Sequence, residues 1–156
     1  MSWWKRWWPA LAWAVLISLF STHTFTMENT ASVIIPILRA LFPHASPDAL
    51  DLLHFYIRKC AHFSEYFIFA LLVLRGIRAG RRPMALPWML ATTLLVVAVY
   101  ASLDEFHQSF VPGRTAAVRD VLIDTAGGAT ALLVAGVLLL WTGVRQRNRG
   151  GVSPAN

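Results

Sequence analysis

A single cysteine, Cys60, in 156 residues leaves no internal disulfide framework to staple the fold. Its position inside an apolar segment reads as a small buried side chain, not a reactive thiol. Charge is scarce too. Only 14% of residues are charged against 56% hydrophobic, with a mean hydropathy of +0.53. That balance is too apolar for an ordinary soluble domain and points to one compact membrane unit. The chain contains no seryl or cysteinyl nucleophile motif, internal repeat, low-complexity tract or sign of a second domain. A small-residue cleavage site is also missing after the first apolar run, where Ser21-Thr22-His23-Thr24-Phe25 stands. That run is therefore read as a retained helix with a tryptophan belt, Trp3-Trp4-Lys5-Arg6-Trp7-Trp8, at its start.

What is present is length without charge. Trp7 to Met27, Pro83 to Leu103 and Thr125 to Val144 are uncharged runs long enough to cross hydrocarbon. A further segment is interrupted. After Glu65 the uncharged stretch from Tyr66 to Leu74 is only about nine residues, against roughly twenty for a span. To cross a bilayer this helix must carry Arg58, Lys59, His62 and Glu65 in with it. Such groups persist at that depth only where they meet partners, water or ligand. The fold class is therefore an all-α membrane protein with four transmembrane helices. A single domain is expected over residues 1–144, followed by a basic, disordered cytoplasmic tail over 145–156.

The net charge of +6 is a topology signal, and no nucleic-acid partner is implied. Lys5, Arg6, Arg75, Arg78, Arg81, Arg82, Arg145, Arg147 and Arg149 all fall on one side of a four-span arrangement. The positive-inside rule makes that side cytoplasmic, with both termini inside a bacterial inner membrane. The eight acids and five histidines of the chain all fall in the outward half.

Between the first and second spans, Ser32 to Phe42 is too short to cross and contains Pro36. It is expected to lie along the outer interface as a bent amphipathic piece. Ser46-Pro47-Asp48 then gives a helix start: a hydroxyl cap, proline at the first helical position and an acid at the positive end of the dipole. On that helix Arg58, Lys59, His62, Glu65 and Tyr66 fall within an arc of roughly 120°. The third span is expected to end at Asp104, and Val111-Pro112-Gly113-Arg114 reads as a tight turn. In the last span, beginning near Ala116, Asp120, Asp124, Gly127, Ala131 and Ala135 share one face. Its small lower part permits close helix–helix contact.

Three motifs stand in order: Lys59-x-x-His62-x-x-Glu65-Tyr66, then Asp104-Glu105-x-His107-Gln108-x-Phe110-x-Pro112-Gly113-Arg114, then Asp120-x-x-x-Asp124-x-x-Gly127. Together they resemble the VanZ-like family of small bacterial membrane proteins, named for a member associated with resistance to the glycopeptide teicoplanin. The resemblance covers roughly residues 10 to 142 and implies a polytopic protein acting at the cell envelope. Many members carry asparagine where Asp124 stands, so this chain has an extra acid in its cluster.

Three uses of the cluster compete. It could bind or modify an anionic envelope amphiphile: a lipid, a lipid-linked wall precursor or a lipophilic glycopeptide. His62, Glu65, Asp104, Glu105, His107 and Asp120 would then move protons. Arg58, Lys59, Tyr66, Gln108, Arg114 and Asp124 would hold the ligand, with arginine bidentate to phosphate. A metal could sit on His62-x-x-Glu65 and the neighbouring acids, but the arginines oppose a cation, so neither metal nor cofactor is expected. Alternatively, the charges could fix helix register or dock a protein partner without catalysis.

Overall fold

A computed structural model of the chain describes residues 2–22, 25–80, 84–111 and 117–150. Among these are five α-helices: α1 Trp3–Phe20, α2 Met27–Leu41, α3 Pro47–Arg78, α4 Leu86–Gln108 and α5 Val118–Gly150. Three are long and apolar enough to cross a membrane: α3, α4 and the Val118–Gly143 part of α5. The expected Pro112-Gly113-Arg114 turn lies outside the described residues.

Cap chemistry sets the helix ends. Ser46 accepts from the Ala49 amide at 3.3 Å, with Pro47 opening α3 and Asp48 in its first turn. Arg75 and Arg78 occupy its last turn, where the negative end of the dipole favours cations. The uncharged run from Trp7 to Met27 is not one helix, because hydroxyl residues interrupt it. Ser21 caps the end of α1, Thr22 Oγ1 donates back to the Leu19 carbonyl at 2.7 Å, and Thr26 caps α2 by accepting from Asn29 N. Side chains of this kind offer the backbone alternatives to a continuing helix. The helix that follows consequently starts before Ser32: α2 runs from Met27 through Pro36 to Leu41.

Two further expectations need correction. The third span does not end at Asp104, since α4 continues to Gln108. Cys60 is exposed on the outside of α3, not buried. One residue beyond the inward-facing Lys59 turns the chain about 100° off the packed face.

Helix α3 is central and packs against each of the other four. Its C-terminal half contributes Tyr66, Phe69, Ala70, Val73 and Leu74 to a core completed by Val97 and Ala101 of α4, Ala131 and Leu132 of α5, and Ala10 and Ile17 of α1. The outward faces are apolar as well: Leu95, Leu103, Leu122, Leu133 and Leu140 are each more than half exposed. A helix apolar on every side suits lipid.

Close approach, not bulk, joins the helices. A Cβ built on Gly127 would lie 2.2 Å from the Phe63 carbonyl oxygen, so the α5 backbone rests directly on that of α3. One on Gly76 would meet the Trp7 ring at 2.7 Å, where α1 crosses α3. Small residues at such crossings let van der Waals contact replace the hydrophobic drive that lipid removes. Polar ties reinforce α1. Trp13 Nε1 donates to the Glu65 carbonyl at 2.9 Å and Tyr100 Oη to the Ala14 carbonyl at 2.6 Å, while Ser18 Oγ lies 2.8 Å from the Tyr100 hydroxyl.

Candidate functional site

The polar stripe of α3 divides between two neighbours. Lys59, His62 and Tyr66 turn towards α4 and α5, while Arg58 and Glu65 turn towards α1 and α2.

On the first flank, α3 and α5 are joined by two successive charged rungs. Lys59 Nζ donates to Asp120 Oδ1 at 2.5 Å, with Lys59 also over the Phe55 ring. One turn further along, His62 Nδ1 lies 3.3 Å from Asp124 Oδ1. That separation suits an ion pair, yet its geometry falls short of a hydrogen bond. The next contact in the series is Gly127 on Phe63, and its closeness presses Asp124 into the interior. Asp124 is fully buried, and neither carboxylate oxygen has a hydrogen-bond partner among the described residues.

The last turn of α4 supplies three more groups. Because the helix continues past Asp104, Ala101, Asp104, Glu105 and Gln108 fall at i, i+3, i+4 and i+7 and are all buried. Asp104 Oδ2 accepts from Ser21 Oγ at 2.7 Å and from Gln108 Nε2 at 2.9 Å, tying the end of α1 to α4. Glu105 Oε2 accepts from the Ala117 amide at 2.9 Å, satisfying a backbone donor just before α5 begins. Its other oxygen and the Tyr66 hydroxyl are buried without a hydrogen-bond partner among the described residues. The same rotation carries His107 to the exposed side of α4, away from the cluster it was expected to join.

On the second flank a cleft of about 240 Å³ opens between the end of α1, the start of α2 and α3. Phe20, Phe25, Ile34 and Ile57 form apolar walls, and Arg58, His62 and Glu65 supply its charge-bearing groups. Arg58 also holds the wall in place. One of its guanidinium nitrogens donates to the Phe25 carbonyl and to Thr30 Oγ1, both at 2.9 Å, and lies 3.4 Å from the Thr26 carbonyl. His54 Nε2, buried, lies 3.1 Å from the same threonine hydroxyl.

The structure thus gathers Arg58, Lys59, His62, Glu65, Tyr66, Asp104, Glu105, Gln108, Asp120 and Asp124 at one end of the bundle. It separates His107, and Arg114 lies outside the described residues. Sequence reasoning missed Ser21, Thr30, His54 and Tyr100. For Ser21 a signal was available, as a hydroxyl where an apolar run stops. Thr30 and His54 carried none, because their roles depend on α2 folding back over α3. Among the described residues, no three His, Cys, Asp or Glu side chains converge in the manner of a metal shell.

A helical bundle with membrane-length apolar helices, lipid-suited outer faces and buried charge at one end is a polytopic membrane protein. The family model described as VanZ/LLP1 matches residues 6–140, and the chain belongs to that family. No curated protein and no solved structure matches it.

Proposed function

We propose that this protein binds an amphiphilic molecule of the bacterial cell envelope in the cleft between α1, α2 and α3. The ligand class is a lipid, a lipid-linked wall precursor or a lipophilic glycopeptide, in keeping with the family's link to teicoplanin resistance. One observation carries the reading: apolar walls from Phe20, Phe25, Ile34 and Ile57 line the same cleft as Arg58, His62 and Glu65. An acyl chain suits the former and a polar headgroup the latter. The Lys59–Asp120 rung and the Gly127 contact favour a second reading, in which the buried charges set helix packing for a protein partner.

In this proposal α1 is the fourth span. Its 18 residues reach about 27 Å at 1.5 Å per residue, close to the hydrocarbon thickness. Both termini are cytoplasmic and the cleft faces outward from the inner membrane, as the placement of lysine and arginine argues. Cysteine labelling checks the orientation. With Cys60 replaced by serine, Ser109→Cys should react with an impermeant maleimide applied to intact cells, and Ala79→Cys should not. The opposite pattern would overturn the orientation.

Photo-crosslinking tests the cleft. A diazirine-bearing phosphatidylglycerol, irradiated with the purified full-length protein, should attach to peptides containing Phe25, Ile34 or Ile57. Ala61→Trp, which fills the cleft from its α3 side, should cut that yield at least about tenfold while leaving attachment to the outer faces of α4 and α5 unchanged. Uniform labelling around the bundle, indifferent to Ala61→Trp, would leave the cleft as ordinary lipid contact and favour the packing reading.

A further inference from the structure

Asp124 is costly where it sits. A carboxylate removed from water loses several kcal/mol of solvation unless hydrogen bonds and a counter-charge replace it. The neighbouring rung shows what a structural pair looks like, with Lys59 Nζ hydrogen-bonded to Asp120 and both groups part-exposed. At Asp124 both oxygens lack a hydrogen bond among the described residues, and the oppositely charged partner within ion-pair distance there is the His62 ring, at 3.3 Å. The 3.3 Å separation places the carboxylate behind the imidazole, within reach of Nδ1.

The ring links two compartments. Its Nδ1 is buried and faces Asp124. The side chain nevertheless keeps 15% of its surface exposed and lines the cleft, which leaves Nε2 on the accessible side. A carboxylate behind one imidazole nitrogen fixes the tautomer and orientation of the ring, so that the other nitrogen presents a lone pair.

We propose that Asp124 and His62 form a carboxylate–imidazole dyad in which Nε2 of His62 takes a proton from a hydroxyl group held in the cleft. The hydroxyl belongs to a sugar- or glycerol-type headgroup or to water. The inference rests on the cleft reading above for the place of that hydroxyl, and on the α3–α5 geometry for the dyad itself. In the step, the O–H bond breaks and an Nε2–H bond forms. The oxygen keeps the electron pair, and the positive charge arriving on the ring is met by the Asp124 carboxylate. When the proton returns from Nε2 to that oxygen, the O–H bond re-forms and the ring is neutral again. His62 is the catalytic residue and Asp124 its positioning residue. Other charged groups stand around the pair: Lys59 and Glu65 one turn away on α3, Asp120 on α5, and Asp104 and Glu105 on α4. Lys59 is already engaged by Asp120, so it does not compete for Asp124.

The test reads the ring directly and needs no known substrate. Full-length protein carrying ¹⁵N-histidine, in lipid nanodiscs, should show His62 as the Nδ1–H tautomer, its resonance assigned by its loss in His62→Gln. Asp124→Asn, whose amide can donate to Nδ1, should convert the ring to the Nε2–H form. Carbethoxylation of His62 by diethyl pyrocarbonate should then slow by at least about tenfold, and Asp124→Glu should recover part of the rate. Octyl glucoside protecting His62 better than a hydroxyl-free amine oxide detergent would assign the hydroxyl to a headgroup, and equal protection would assign it to water. An Nε2–H tautomer in the unmodified protein overturns the dyad, with no variant required. So does an Asp124→Asn protein whose tautomer and carbethoxylation rate are unchanged. Lipid crosslinking in the cleft is read separately, so a failed dyad and a failed cleft give different results.

Discussion

Gly127→Ala should cost this protein much of its stability, and Gly128→Ala, one residue along the same helix, should cost less. The difference lies in what the new methyl group meets. At Gly127 it would stand 2.2 Å from the Phe63 carbonyl oxygen, with the Phe63 carbonyl carbon and Cα also within about 3.1 Å. Those are backbone atoms of an α-helix and cannot rotate aside, so α5 must move off α3 as a body. At Gly128 the nearest atom is Cγ1 of Val97, at 2.7 Å, a side-chain methyl that is buried and β-branched but is not backbone, so its relief does not require the two helices to part. Overpacking in a tight core typically costs about 1–3 kcal/mol, and a backbone clash stands at the upper end or beyond. Separating α3 from α5 would also pull Asp120 and Asp124 away from Lys59 and His62, so the rungs are lost together with the packing. Thermal unfolding of the purified protein in detergent checks this. A midpoint for Gly127→Ala within a degree or two of the unmodified protein would mean that α3 and α5 do not rest on each other as described.

The small-residue face of α5 was legible in the sequence, because Asp124, Gly127 and Ala131 recur at helical spacing. The start of α3 was legible for a similar reason, since Ser46-Pro47-Asp48 is local chemistry that acts without tertiary help. The end of α1 was misread because hydropathy averages over a window, whereas local hydroxyl bonds mark the break, here Thr22 to the Leu19 carbonyl and Thr26 to the Asn29 amide. His107 was misplaced by an error of a single turn. Ending α4 at Asp104 put Glu105, His107 and Gln108 in a loop where any of them could face the cluster. Continuing the helix fixes their directions at about 100° per residue, which buries Glu105 and Gln108 and turns His107 out. Arg58 was read as a ligand-binding cation. Its bonds to the Phe25 carbonyl and Thr30 also make it a brace for the cleft wall, a role set by how α2 folds back and by nothing in the spacing around Arg58. The division of the stripe between α5 and the cleft was hidden for the same reason. Periodicity shows that residues share an arc, and only packing shows that two neighbours divide it.

The second large effect concerns the His62–Asp124 rung, where the two single substitutions should act in opposite directions. His62→Leu leaves a fully buried carboxylate facing an apolar side chain, with no hydrogen bond from the described residues to offset the loss. Breaking a buried pair in this way usually costs about 3–5 kcal/mol. Asp124→Asn keeps the shape and removes the charge, so it should be neutral or stabilise by about 1 kcal/mol, within the range found when buried pairs are replaced. The double variant His62→Leu/Asp124→Asn should recover most of what His62→Leu loses, because the isolated charge has gone. The interaction between the two sites should then exceed about 1 kcal/mol, well above the few tenths typical of independent positions. Equilibrium unfolding of the four proteins, with sodium dodecyl sulfate titrated into mild-detergent micelles, measures the cycle. If Asp124→Asn instead loses several kcal/mol, the carboxylate is a structural member of the α3–α5 interface. A stable but inactive Asp124→Asn protein would show that the charge is retained for what the His62 ring does in the cleft.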